Sequence, residues 1–288
     1  MISLDSTKHL EELLLKFIND VGRKEGRIRL ITSYDLDSVV AGGMLFKYIT
    51  LNDTLCEYLS LIDEIPSDDT PTITIGFASK NLTNSLQIIR GNQVSLHRLG
   101  ATHIIHAPAI SPFILKILEE VMVITNDLRY LASVAILSRY VPRLKAVKFN
   151  EFERDYINEL VDMNLIKVIR GPKIFEYSVT NIDKALSKSL DIFVPGYSGR
   201  QVSKDIRSLS EDELTKDILS KIQTVSSLKI SVNDVIGENY LIMQEWFFRD
   251  LYECLYALMS VADTYGVCLL YTSPSPRDLS TSRMPSSA

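Results

Sequence analysis

The absences narrow the sequence first. No apolar stretch approaches the ~20 uninterrupted residues of a membrane span, and Lys8, Glu11 and Glu12 interrupt the leading apolar segment, so it does not read as a secretory signal. The three cysteines, Cys56, Cys254 and Cys268, stand at unrelated spacings, which gives neither a disulfide framework nor a metal knuckle. There is no G-x-x-x-x-G-K-[ST], no G-x-G-x-x-G after a strand and no G-x-S-x-G, so nucleotide cofactors and the serine-hydrolase elbow have no support. Neither sign of charge dominates: 31 Lys and Arg face 36 Asp and Glu, a formal −5. A strongly cationic nucleic-acid binder is thereby excluded, and no internal repeat points to a solenoid.

What is present describes an ordinary globular α/β chain. The 288 residues carry 46 % hydrophobic and 23 % charged types, enough for one large domain or two modest ones. Leu10, Leu13, Leu14, Phe17, Ile18 and Val21 predict an amphipathic helix over 6–21, capped by Ser6 or Thr7. Arg27–Thr32 (RIRLIT) predicts a buried strand, followed by a short acidic loop and a helix from Val39 to Ile49: the first βα unit of a parallel sheet. Further strands are expected at 55–62, 71–76, 93–96 and 102–106, and helices at 82–89, 112–121 and 126–140, the last capped by Asn126 or Asp127. This alternation predicts a parallel sheet with helices on both faces.

After Pro142 the pattern changes. Helices are expected at 150–164, 181–190 and 211–222, the last opened by a Ser210–Glu213 capping box, with a short strand at 165–170. Leu241–Tyr265 reads as one long apolar helix containing the single tryptophan, Trp246. The expected organisation is an α/β domain over 1–192, a turn-rich boundary and linker helix over 193–240, and the start of a second domain over 241–267. The final 21 residues, 268–288, hold six Ser and three Pro without periodicity. Read back into DNA, CLLYTSPSPRD and TSRMPSSA resemble the two ends of a sequencing-library adapter, so a non-native tail is expected, with the natural chain continuing beyond Val267.

Asp35 and Asp37 carry the most chemistry. They stand at i, i+2 just past a predicted buried strand, the edge at which open α/β sheets gather ligands. Two carboxylates there offer hard oxygen ligands for Mg²⁺ or Mn²⁺; the alternative is that one caps the next helix and the other is solvated. Gly42-Gly43 in that helix reads as tight helix–sheet packing.

TSYDLDSVVAGGML resembles the first motif of the DHH phosphoesterase superfamily, the RecJ-like proteins, in which two such aspartates bind divalent metal. PTITIGFASKNL, NQVSLHRLGATHIIHAP, NDLRYLASVAILSRY, KSLDIFVPGYSG and RDLYECLYALMSVADTYG follow in the family's order. The resemblance implies a DHH-type α/β fold. It also implies a dismantled site: Tyr34 and Ser38 stand where the family has His and Gly, Gly76 where it has the second-motif Asp, His97-Arg98-Leu99 at the DHH triplet, and Ser138 or Arg139 at the last Asp. Asp35 and Asp37 remain as residual metal ligands. Two carboxylates cannot fill the coordination shells of a metal pair ~3.5–4 Å apart, so no cofactor is expected, with Mn²⁺ or Mg²⁺ if the chain is active.

Superfamily members without metal ligands include archaeal and eukaryotic partners of the replicative helicase. The resemblance therefore implies a catalytically inactive, archaeal-type scaffold of DNA replication in the cytoplasm, associating with GINS and the MCM helicase and contacting single-stranded DNA. Arg139, Arg143, Lys145 and Lys148 form the best basic cluster for such a strand, ahead of Arg23, Lys24, Arg27 and Arg29. Two enzymatic alternatives stay open. One is a Mn²⁺-dependent 5′–3′ exonuclease or oligonucleotide phosphodiesterase. The other is a phosphatase of the haloacid-dehalogenase type, whose DxD signature LITSYDLDSV also fits, with Asp35 as nucleophile and Asp37 as acid/base.

Overall fold

The computed structural model describes residues 10, 12–60, 68–82, 84–140, 147–174, 176–189, 193–225 and 230–265. The expected cap at Ser6 or Thr7, the basic residues Arg143 and Lys145, and the tail 268–288 lie outside them.

The centre is a six-stranded sheet in the order β2-β1-β3-β4-β6-β5, with β1 Arg27–Thr32, β2 Leu55–Ser60, β3 Thr72–Ile75, β4 Ser85–Arg90, β5 Ser95–Leu99 and β6 Thr102–Ala107. Every pairing is parallel except β5 against β6. The inner strands are short and almost wholly buried, as strands covered on both faces must be. The polar Ser85 and Gln87 satisfy themselves locally, Gln87 spanning to the Ser79 carbonyl at 2.7 Å.

Helix α1 runs over 12–25, with a π turn at Phe17–Val21. It is followed by α2 Leu36–Leu51, α3 Ile110–Glu119, α4 Asn126–Leu137 and α5 Glu151–Asp162. These helices continue the apolar layer of the sheet: Met44, Leu45, Phe113, Ile117, Tyr130 and Tyr156 join Leu30, Ile73 and Ile105 in one core. Gly42 lets α2 lie close on the sheet, since a Cβ there would fall 2.5 Å from both Thr32 Cγ2 and the Tyr58 hydroxyl.

Three expectations need correction. Helix α4 takes Thr125 as its N-cap, not Asn126 or Asp127, which lie in its first turn. The segment 82–89 is not helical; it supplies β4, begun after Asn84 at a positive φ of 51°. Leu241–Tyr265 is not one helix either. Ile236–Ile242 is β8, paired antiparallel with β7 Ile166–Pro172, and a loop containing Trp246 leads to the final helix, Leu251–Tyr265. That helix packs back against α4, placing Leu251, Tyr252 and Leu255 in the main core.

A second, smaller core joins Ile174, Leu186, Val194, Ile206, Ile218 and Val235. It is built from α6 Ile182–Lys188, a 3-10 turn at Lys204–Ser208, α7 Glu211–Gln223 and α8 Val232–Val235. The Ser210–Glu213 capping box opens α7 as expected. Asp250 ties the two cores together: buried, it accepts from the Glu176 amide at 2.7 Å, the Ser178 hydroxyl at 3.3 Å and the Glu253 amide at 2.7 Å. Burial pushes its carboxyl up to about 6, against the pull of the Glu253 and Glu176 amides. No helix among the described residues is long and apolar enough to cross a membrane.

Candidate functional site

The carboxyl ends of β1, β3 and β4 lie side by side, and Asp35 and Asp37 stand immediately beyond β1. Local sequence explains the placement. Asp35 is the N-cap of α2, accepting from the Ser38 amide at 3.1 Å, and it also accepts the Ser38 hydroxyl at 2.6 Å and the Ser33 hydroxyl. Burial alone would raise the Asp35 carboxyl; the donors of Ser33 and Ser38 outweigh it and hold the group below the usual carboxylate range. Tyr34 beside it is exposed.

Asp37 is spent on the fold. Its side chain is 0 % exposed, and both oxygens are occupied. Oδ1 accepts the Ser111 amide at 2.8 Å and the Ser111 hydroxyl at 2.6 Å; Oδ2 accepts the Ile110 amide at 3.0 Å and Arg90 Nη2 at 2.7 Å. Helix α3 begins at Ile110 without a side-chain cap of its own at Ala109. Asp37, in the first turn of α2, therefore caps that neighbouring helix, at the end where the macrodipole favours an anion. Arg90, the last residue of β4, supplies the counter-charge and also lies 3.6 Å from Asp35. Burial opposes its charge, but Asp37 overcomes that and raises its pKa. A guanidinium thus occupies the position from which a dication would have to reach both carboxylates.

Gly76 closes the remaining space. Its φ is +87°, and a Cβ built there would fall 2.1 Å from both the Ser33 and Ser38 hydroxyl oxygens. Those two serines fill the volume that an acid at this position would need.

The other sequence-selected residues divide. Arg139 comes to the neighbourhood, but it is paired with Glu153, which is 0 % exposed, and reaches the Pro108 carbonyl at 3.4 Å. Glu153 also accepts Tyr140 Oη at 2.8 Å and completes the capping box with Asn150; burial and this carboxylate push Tyr140 up to about 12. Ser138 returns its hydroxyl to the Ala135 carbonyl at 2.7 Å. His97, Arg98 and Leu99 lie on the antiparallel edge strand, which runs from Ser95 beside His106 back to Leu99 beside Thr102, away from the carboxylates. The strand end that meets Asp37 is Arg90. His97 and His106 stack edge to face at 5.0 Å, and burial together with its neighbour His97 lowers His106. Of the basic cluster, Lys148 is described and exposed. Arg29, in the second basic group, is buried against Asp68 and Glu57 at 2.7 Å each.

The donor set does not fit a pair of divalent cations. Among the described residues no group of three or more His, Cys, Asp or Glu is arranged to hold a metal ion. Asp37 offers no free lone pair in a useful direction, and a guanidinium 2.7 Å away repels a cation. The same occupancy bears on the phosphatase pattern: a carboxylate with both oxygens engaged is not placed to shuttle a proton. Sequence reasoning missed Arg90, Ser33, Ser111 and Glu153. A strand-terminal Arg reads as solvated until the fold sets it against an acid 53 residues away.

No protein-family profile matches the chain, and no curated protein matches it by sequence. Among solved structures it is similar to CDC45 from Entamoeba histolytica, at 12 % identity and a TM-score of 0.56 over 88 % of this chain and 63 % of that one. RecJ from Thermus thermophilus, in complex with Mn²⁺, aligns over 94 % of this chain and 40 % of its own at 10 % identity, with a TM-score of 0.37. The chain spans less than two thirds of the length of either. At such low identity the likeness to CDC45 establishes the fold alone: an α/β domain with a mostly parallel six-stranded sheet flanked by helices.

Proposed function

We propose that this chain is a non-catalytic scaffold of the DNA replication machinery, built on a DHH-type fold whose metal site has been converted into structure. The observation that carries the reading is Asp37, with both oxygens committed to Arg90 and the start of α3. A hydrolytic site holds its carboxylates free for cations and water; here Asp37 is neutralised by Arg90 and Asp35 is engaged by Ser33 and Ser38. The likeness in fold to CDC45 supports a replication setting, and the resemblance to archaeal superfamily members that lack metal ligands names GINS and the MCM ring as partners. Single-stranded DNA contact falls to Lys148 among the described residues of the basic cluster, with Arg139 withdrawn by Glu153.

Two measurements test this. Immobilised chain is expected to retain archaeal GINS, and failure of the complex to form overturns the partner assignment. Titration with Mn²⁺ by calorimetry, alongside a labelled single-stranded oligonucleotide, is expected to give neither stoichiometric binding nor cleavage. Two bound ions, or cleavage lost in Asp35→Asn, would instead establish the phosphodiesterase.

A further inference from the structure

A second surface lies at the opposite end of α3 from Asp37, about 15 Å along a ten-residue helix at 1.5 Å per residue. Residues 119–124, with Arg129 and Glu159, line an open groove of about 570 Å³. Its floor is the segment 121–125: Val121 and Met122 close the last turn of α3 on the Leu118 carbonyl, at 3.1 and 2.9 Å, and 123–125 run on outside any helix or strand, with exposed and half-buried residues alternating. Val121 and Val123 face outward, Val123 at 88 % exposure, while Met122 and Ile124 pack inward on the main core. Among the described residues no backbone hydrogen bond joins Val123 or Ile124 to another segment. The loop before the final helix extends the apolar surface. Gln244 accepts from Asn126 at 2.6 Å, which brings the exposed Met243 to the same end.

Acids outnumber bases around this edge. The cations near it are already engaged, Arg129 with Glu119 and Lys116 with Glu159. Glu120, Asp127 and Glu245 are exposed and, among the described residues, have no ion-pair partner. We propose that 121–125 is a docking edge for an extended segment of a partner protein that alternates aliphatic with basic side chains. Such a segment pairs with the free backbone groups of Val123 and Ile124, sets its aliphatic side chains against Val121 and Val123, and its ammonium groups beside Glu120 and Asp127. A second copy of this edge would bring like charges into register, and a phosphate backbone would meet an excess of acids. The site is independent of the carboxylate pair and of the reading drawn from it.

The test uses the full chain and two synthetic peptides, one of alternating Lys and Val and one of alternating Glu and Val. Binding is followed by fluorescence anisotropy and by amide hydrogen exchange. The Lys-Val peptide is expected to bind at least tenfold more tightly than the Glu-Val peptide, to weaken with salt, and to protect the amides of Val123 and Ile124. Glu120→Lys, at an exposed position, is expected to lower its affinity at least tenfold, and Val123→Ser to do so without altering the salt dependence. Equal binding of both peptides, indifference to both substitutions, or protection confined to other segments overturns the proposal. So does a concentration-dependent dimer of the free chain that protects 121–125, because that would assign the edge to self-association.

Discussion

Removing the Asp37 carboxylate separates a structural role from a metal-binding one. In Asp37→Ala, the buried amides of Ile110 and Ser111 lose their acceptor and Arg90 loses its counter-ion. Each buried donor left unsatisfied costs about 1–3 kcal/mol, and breaking a buried ion pair from one side costs about 3–5 kcal/mol. These overlap at one carboxylate, and Arg90 is partly exposed, so a loss of about 3–5 kcal/mol is expected overall. At about 2–4 °C per kcal/mol for a domain of this size, the midpoint should fall by on the order of 10 °C. Asp37→Asn keeps one acceptor oxygen and should lose about 2–3 kcal/mol. Asp35→Asn, at a partly exposed cap where Asn can accept the Ser38 amide as Asp does and the Ser33 and Ser38 hydroxyls can turn to accept from its amide, should stay within about 1 kcal/mol of the parent. Urea denaturation at constant slope measures all three. A site kept for cations behaves oppositely, since deleting one of two clustered carboxylates relieves their repulsion. If Asp37→Ala proves as stable as the parent or more so, the carboxylate is not the cap and counter-ion argued for it.

Three further outcomes are expected. Gly76→Asp should lower stability by more than about 2 kcal/mol, because a left-handed φ costs a side chain about 1–2 kcal/mol before any clash with Ser33 and Ser38; Mn²⁺ titration of whatever folds should show no gain in binding. Arg139→Ala strands Glu153 and should reduce stability by about 3 kcal/mol, with single-strand affinity measured in parallel unchanged; a loss of affinity at full stability would return Arg139 to the nucleic-acid surface. Asp250 has a folded pKa raised by burial to about 6, so the folded state holds this proton more tightly than the unfolded chain does. Its favourable contribution is complete below the ordinary carboxylate pKa and is lost as pH rises through about 6. Asp250→Asn should therefore gain stability relative to the parent as pH rises from about 4 to about 6 and hold a constant difference above that, and a difference that does not vary with pH would refute the assignment.

Much of the fold was legible in the residues. RIRLIT, the acidic loop and the helix after it marked out the first βα unit, and the Ser210–Glu213 box located the start of α7. Strand β4 was not legible, because SLQIIR is a short apolar run that suits a buried strand or a helix equally until its neighbours are known. Strand β8 was hidden for a related reason: its partner β7 lies far earlier in the chain, with Ile166 opposite Ile242, and no local pattern encodes such pairing. The carboxylates stood out in the sequence, but their fate did not. What Asp37 does depends on Arg90 and on the start of α3, both brought to it by sheet order.

The cap supplied by Asp37 also bears on how the chain reaches its native state. The bonds to Ile110 and Ser111 span 73 and 74 residues, and in the sheet β3 and β4 lie between β1 and β6, the strands that lead to the two ends. Contacts of such long range form late and burden the folding rate with loop entropy. Substitutions at Asp37 should therefore act mainly on the unfolding limb of a chevron, leaving the refolding rate nearly untouched. The residue that looks most like a relic of chemistry would then function as a latch, governing how long the molecule persists rather than how quickly it forms.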